Sequence, residues 1–110
     1  MNLAALRRQI DALDRQLVRL LGQRARRSLA IARLKRAAGL RLFHHAREKQ
    51  IAENVARANR GPLPDRCVQH IWVQILQQTR KAVRATLRAE ARRAARPARG
   101  GKRKRAGRRR

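Results

Sequence analysis

The chain has 110 residues, enough for one small domain, and 31 Lys and Arg against 6 Asp and Glu give it a formal charge of +25. A single cysteine, Cys67, excludes an intrachain disulfide, and with no Tyr and only Phe43 and Trp72 as aromatics the composition argues against a base-stacking nucleic-acid module. No stretch approaches the roughly 20 apolar residues of a membrane span, and the N-terminus lacks a cleavable leader pattern, so the expected location is the cytoplasm.

Leu3, Leu6, Ile10, Leu13, Leu17 and Leu20 recur at spacings of three and four, the helical apolar period in its coiled-coil-like form. Asn2 is placed to cap this helix, and no strong breaker follows until Gly39. The pattern predicts one helix over about 3–37, roughly 50 Å long at 1.5 Å per residue. GLRLFHH at 39–45 reads as a loop, and a second helix is expected over about 46–59 with Ile51 and Val55 on one face. GPLP at 61–64 is a strong break, after which Asp65 can cap a third helix burying Val68, Ile71, Trp72, Ile75 and Leu76 and running to about residue 90.

The expected fold is all-α, with three helices in the order long, short, long. Two helices of one chain cannot cover the apolar stripe of so long a first helix, so pairing with a second copy is expected to complete the core. The domain is expected over 1–91. Residues 92–110, with 11 basic residues and no acid, are expected to form a disordered tail. That tail is read either as a solvated extension or as a nonspecific contact to nucleic acid or another polyanion. The body without it is basic as well, with 20 cationic and 6 acidic side chains.

On a helical wheel with Leu17 at zero, Arg24 falls at about −20° and Lys35 at about 0°, in the centre of the stripe, with Ser28 and Ile31 on the same line. Arg8, Arg15, Arg19, Arg26 and Arg33 cluster near the opposite side, and Arg7 sits on the flank at about 80°. An unpaired buried charge is costly, so Arg24 and Lys35 need anions. The chain has few to offer; Glu48 is one, and a ligand bearing carboxylates or phosphates is another. His44, His45 and His70 lack metal-ligand spacing, so no metal or other cofactor is expected. Cys67 and Trp72 are read as structural.

LRRQIDALDRQLVRLLGQR, then Lys35, the Arg47–Glu48 pair, GPLP and the IWVQIL helix together resemble the all-helical, AroQ-type chorismate mutases over about residues 3–83. The resemblance implies an intertwined homodimer with two equivalent sites and the rearrangement of chorismate to prephenate, a step towards aromatic amino acids. It implies that Arg24, and Arg7 from the partner chain, hold the substrate carboxylates. Lys35 would donate to the ether oxygen and help with a carboxylate, and Glu48 would take the ring hydroxyl. Thr79 would offer a hydroxyl to a carboxylate, with Arg47 beside the glutamate.

Two positions depart from the family pattern. His44 stands where Asp is common, at a contact that runs through the backbone in relatives. Val83 stands where relatives carry Gln or Glu as a second donor to the ether oxygen. Valine cannot donate, and losing one such donor costs on the order of 10²–10³ in rate. Two outcomes are therefore open for a mutase: reduced activity, or Arg80, one turn back, acting in its place. Isochorismate–pyruvate lyase chemistry, or a weakened mutase-like protein binding polyanions through its tail, are the alternative functions.

Overall fold

A computed structural model describes residues 2–97. Three helices follow in order: α1 over Leu3–Ala37, α2 over His45–Ala58 and α3 over Asp65–Ala95, with no strand among the described residues. No helix there is long and apolar enough to cross a membrane. The long–short–long pattern is that expected from the apolar period.

Both ends of α1 have a local cause. The Asn2 side chain accepts a hydrogen bond from the Ala5 backbone N–H at 2.8 Å, satisfying one of the orphan donors of the first turn. At the other end of α1, Gly39 takes a left-handed φ of 70°. The Leu40 N–H then reaches back to the Lys35 carbonyl (2.8 Å) and the Gly39 N–H to the Arg36 carbonyl (3.1 Å). This is a Schellman-type stop, which glycine makes without steric cost.

Asp65 does not cap α3 as expected; Pro64 holds the cap position and Asp65 is the first helical residue. Its carboxylate instead accepts from the Asn59 side-chain amide (2.8 Å), which also donates to the Leu63 carbonyl (2.7 Å). Asn59 thus ties the end of α2 to the start of α3. The third helix also continues through 92–95, within the segment expected to be tail. Alanine and arginine favour helix there, and the chain leaves it at Arg96, just before Pro97. Residues 98–110, most of the expected tail, lie outside the described residues.

Packing is organised by α3. Its first half lies against α2, where the Gln69 side chain donates to the Ala52 carbonyl at 3.0 Å. Its second half lies against the end of α1, where Glu90 receives Arg33 (3.1 Å to Oε2) and Arg36 (3.1 Å to Oε1). Ala32, Val83 and Leu87 are the buried hydrophobic side chains among the described residues, with Leu29, Leu42 and Phe43 packed around them.

The three helices measure 72 × 39 × 15 Å, a layer too thin to enclose a large core. Val68, Trp72, Ile75 and Leu76, expected to be buried, are half-covered, and Ile71 is exposed. On α1, Leu3, Leu6, Ile10, Leu13 and Leu17 are 43–62% exposed along one continuous stripe. No described residue of the chain covers this stripe.

Candidate active site

The last turns of α1, the loop after it, the start of α2 and the middle of α3 enclose a cavity of about 330 Å³. Arg24, Lys35, His44, Arg47, Glu48 and Thr79 all line it, so residues far apart in the chain converge as expected. Ser28 and Ile31, on the same line of the wheel, complete the α1 wall.

Each polar group is positioned by a separate contact. The Schellman stop turns the chain directly after Lys35, and the Lys35 ammonium donates to the Leu42 carbonyl at 3.4 Å, drawing the loop over the cavity. Arg47 donates to the Gln50 side-chain oxygen at 2.7 Å, one turn along α2. Glu48 sits in the first turn of α2, where a carboxylate complements the helix dipole, and its backbone N–H donates to the His44 carbonyl at 3.2 Å. The Thr79 hydroxyl donates to the Ile75 carbonyl at 2.7 Å, a bond to the preceding turn that leaves its lone pairs directed outward.

The cavity is strongly cationic. Arg24, Lys35, Arg47 and Arg80 face a single acid, Glu48. Burial, and then the charge of Arg47, lower the Arg24 guanidinium below its ordinary value. Arginine nevertheless stays protonated at physiological pH, so the two guanidiniums repel each other. A ligand with two carboxylates relieves that repulsion, and planar guanidiniums match carboxylates two bonds at a time.

Arg7, expected from a partner chain, is not near this chain's own cavity, and Val83 departs from its expected place. Arg7 lies 17 residues before Arg24 on the same straight helix, roughly 26 Å away along its axis, and is exposed. Val83, expected to line the pocket, does not: at 3% exposure it is packed with Ala32 and Leu87 in the core behind the cavity wall. An apolar side chain on that turn of α3 gains more from core contacts than from a polar cavity.

Arg80 and Phe43 are the residues that sequence patterns assign least well. Arg80 lines the cavity, is ion-paired through Nη2 with Glu48, and stacks with its guanidinium carbon 5.1 Å from the Phe43 ring centroid. Phe43 sits in a loop with no periodicity to read; the only signal available is its being the sole Phe in an aromatic-poor chain.

Comparison with known proteins finds relatives in both sequence and fold. The sequence profile described as "Chorismate mutase type II" matches residues 6–84. The bifunctional chorismate mutase/prephenate dehydratase of Aquifex aeolicus (strain VF5) is 33% identical over 79 residues, covering 68% of this chain and 22% of that protein. The protein of the same description from Neisseria gonorrhoeae (strain ATCC 700825 / FA 1090) is 31% identical over 72 residues, covering 66% and 19%. The chain therefore spans about a fifth of the length of the curated relatives it matches. Among solved structures, form II of the chorismate mutase from Thermus thermophilus superposes with a TM-score of 0.71 at 28% identity, covering 74% of this chain and 92% of that one. Form I of the same enzyme gives 0.68 at 30% identity, covering 69% and 95%. With the profile spanning most of the described helices and the fold shared across nearly the whole of those enzymes, this chain belongs to the chorismate mutase type II family.

Proposed function

We propose that this protein converts chorismate to prephenate, using residues 1–91 as the catalytic domain. The observation that carries the reading is the convergence of Arg24, Lys35, Arg47 and Glu48 on one cavity in a chain of this family. The rearrangement moves electrons within one molecule: a C–O bond breaks as a C–C bond forms. No nucleophile, metal or proton transfer is needed. What is needed is a substrate folded so that its two ends meet, and donors aimed at the ether oxygen, where negative charge grows.

In this scheme Arg24 holds one carboxylate, Lys35 donates to the ether oxygen and shares a carboxylate, and Glu48 accepts the ring hydroxyl. Arg47 and Thr79 complete the polar wall, with the backbone at His44 near the hydroxyl. Arg7 of a second copy closes the site. That copy is called for by the exposed leucine stripe of α1, which lies on the same helix as Arg7 and is left uncovered by the described residues of its own chain. Cation-lined and closed by a partner, such a site excludes water from the folded substrate.

The test is turnover of chorismate by the purified full chain, followed by loss of chorismate and appearance of prephenate. Prephenate formation is the expected result. An unchanged chorismate pool overturns the proposal, and pyruvate release from isochorismate in a parallel reaction redirects it to lyase chemistry.

A further inference from the structure

The breaking C–O bond places charge on one oxygen, and donors on both sides of that oxygen stabilise it better than one. Lys35 supplies the α1 side. Three residues of α3 line the cavity: Leu76, Thr79 and Arg80. Leu76 has no donor. The Thr79 hydroxyl spends its proton on the Ile75 carbonyl. Val83 is apolar and sits in the core. By elimination the α3 side has one donor group, the Arg80 guanidinium.

That guanidinium is held as a fixed donor would be. Nη2 is paired with Glu48, the guanidinium carbon lies 5.1 Å from the Phe43 centroid, and Nε is buried without a hydrogen-bond partner. Nε is enclosed by protein, so the N–H groups that can meet an acceptor in the cavity are those at the Nη end of the guanidinium. We infer that Arg80 is the second donor to the ether oxygen, oriented by Glu48 and Phe43 while Glu48 takes the substrate hydroxyl. The inference rests on the rearrangement proposed above. It gives this chain a permanently charged donor on α3, where a carboxyl-based one would have to be protonated to act.

The experiment compares steady-state turnover of chorismate by the full chain and three variants, each checked for helical content by circular dichroism. Arg80→Met keeps an unbranched apolar stem and removes the donors; kcat is expected to fall about 10²-fold or more, with KM changed far less. Arg80→Lys keeps the charge and is expected to recover about tenfold over Arg80→Met. Arg84→Met is the control: Arg84 approaches the same ring at 5.1 Å but does not line the cavity, and its kcat is expected within about threefold of the parent. Arg80→Met within about threefold of the parent overturns the assignment. So does Arg84→Met falling as far as Arg80→Met, which would place the effect in Phe43, or Arg80→Lys gaining nothing. No turnover by the unmodified chain instead removes the function beneath it, so the two failures are distinguishable.

Discussion

The Lys35 ammonium meets the Leu42 carbonyl at 3.4 Å, while the Lys35 carbonyl accepts the Leu40 N–H at 2.8 Å. One residue therefore both takes part in the Gly39 stop of α1 and holds the following loop across the cavity. Its ammonium is also the charged donor on the α1 side suited to a single oxygen atom. Lys35→Ala keeps the backbone contact and loses the charge. Turnover of chorismate is expected to fall on the order of 10²–10³ in kcat, with little change in melting temperature. A loss below about tenfold would move the ether-oxygen role elsewhere.

Arg7 and Arg24 cannot serve one site within one straight helix, and this gives a sharp test of the paired arrangement. Sedimentation is expected to show a species of twice 12.7 kDa. Arg7→Ala and Arg24→Ala are each expected to be nearly inactive alone. Mixed and allowed to exchange, they form hybrid dimers in which one site has both arginines and the other neither. About a quarter of parental activity should then return, because half of the dimers are hybrids with one working site in two. Absence of any recovery would mean that Arg7 acts elsewhere.

Leu13, 56% exposed at the middle of the α1 stripe, is the matching test of the surface itself. Leu13→Glu puts a charge where an apolar contact is expected. The variant should sediment as a single chain or fail to hold helical structure, and a stable parental-size dimer would relocate the interface.

Glu90 joins α1 to α3 near their C-terminal ends. Its hydrogen bond from Arg33, then that from Arg36 and the charges of both, hold its carboxyl below the ordinary 4.5, against the opposing effect of burial. The depressed value fixes the sign. The stabilisation is fully present above about pH 4.5 and fades as pH falls through the lower value of the folded state. Glu90→Gln should melt earlier than the parent at pH 7, and the gap should close in acid. A gap that stays constant down to about pH 3 would show that the pair contributes through packing alone. Because the contact is solvent-accessible, high salt should narrow it as well.

Val83→Gln tests the division of labour on α3. A glutamine at a position 3% exposed buries an amide among Ala32, Leu87 and their neighbours, at a cost of about 1–3 kcal/mol. The melting temperature, compared at equal protein concentration, should drop by roughly 5 °C or more. With Arg80 already on the α3 side, kcat should not rise. A several-fold increase would show that the parent lacks a donor there.

Much of the architecture is legible in the sequence because it is local. The leucine period, the Asn2 cap and the Gly39 stop each act within a few residues, so α1 can be read from end to end before any contact is known. The same period separates Arg24 and Lys35 from Arg8, Arg15, Arg19 and Arg26, though Arg33 of that set turns to Glu90 on α3, and an acid-poor chain leaves Arg24 and Lys35 in want of an anionic ligand. What depends on helices meeting is not legible in this way. Asp65 turns to Asn59 instead of capping, because the Gly61–Pro64 turn brings the two together. Phe43 acquires its place only when the loop closes over α3, and Arg80 acquires Glu48 only when α2 packs beside it. Val83 shows the limit most clearly. Periodicity already puts it on one face of α3 with Leu87, but only the packing of α1 on α3 decides that this face meets Ala32 rather than the cavity. Periodicity fixes which residues share a face of one helix; which face meets which neighbour is set by the burial of apolar surface between helices far apart in the chain.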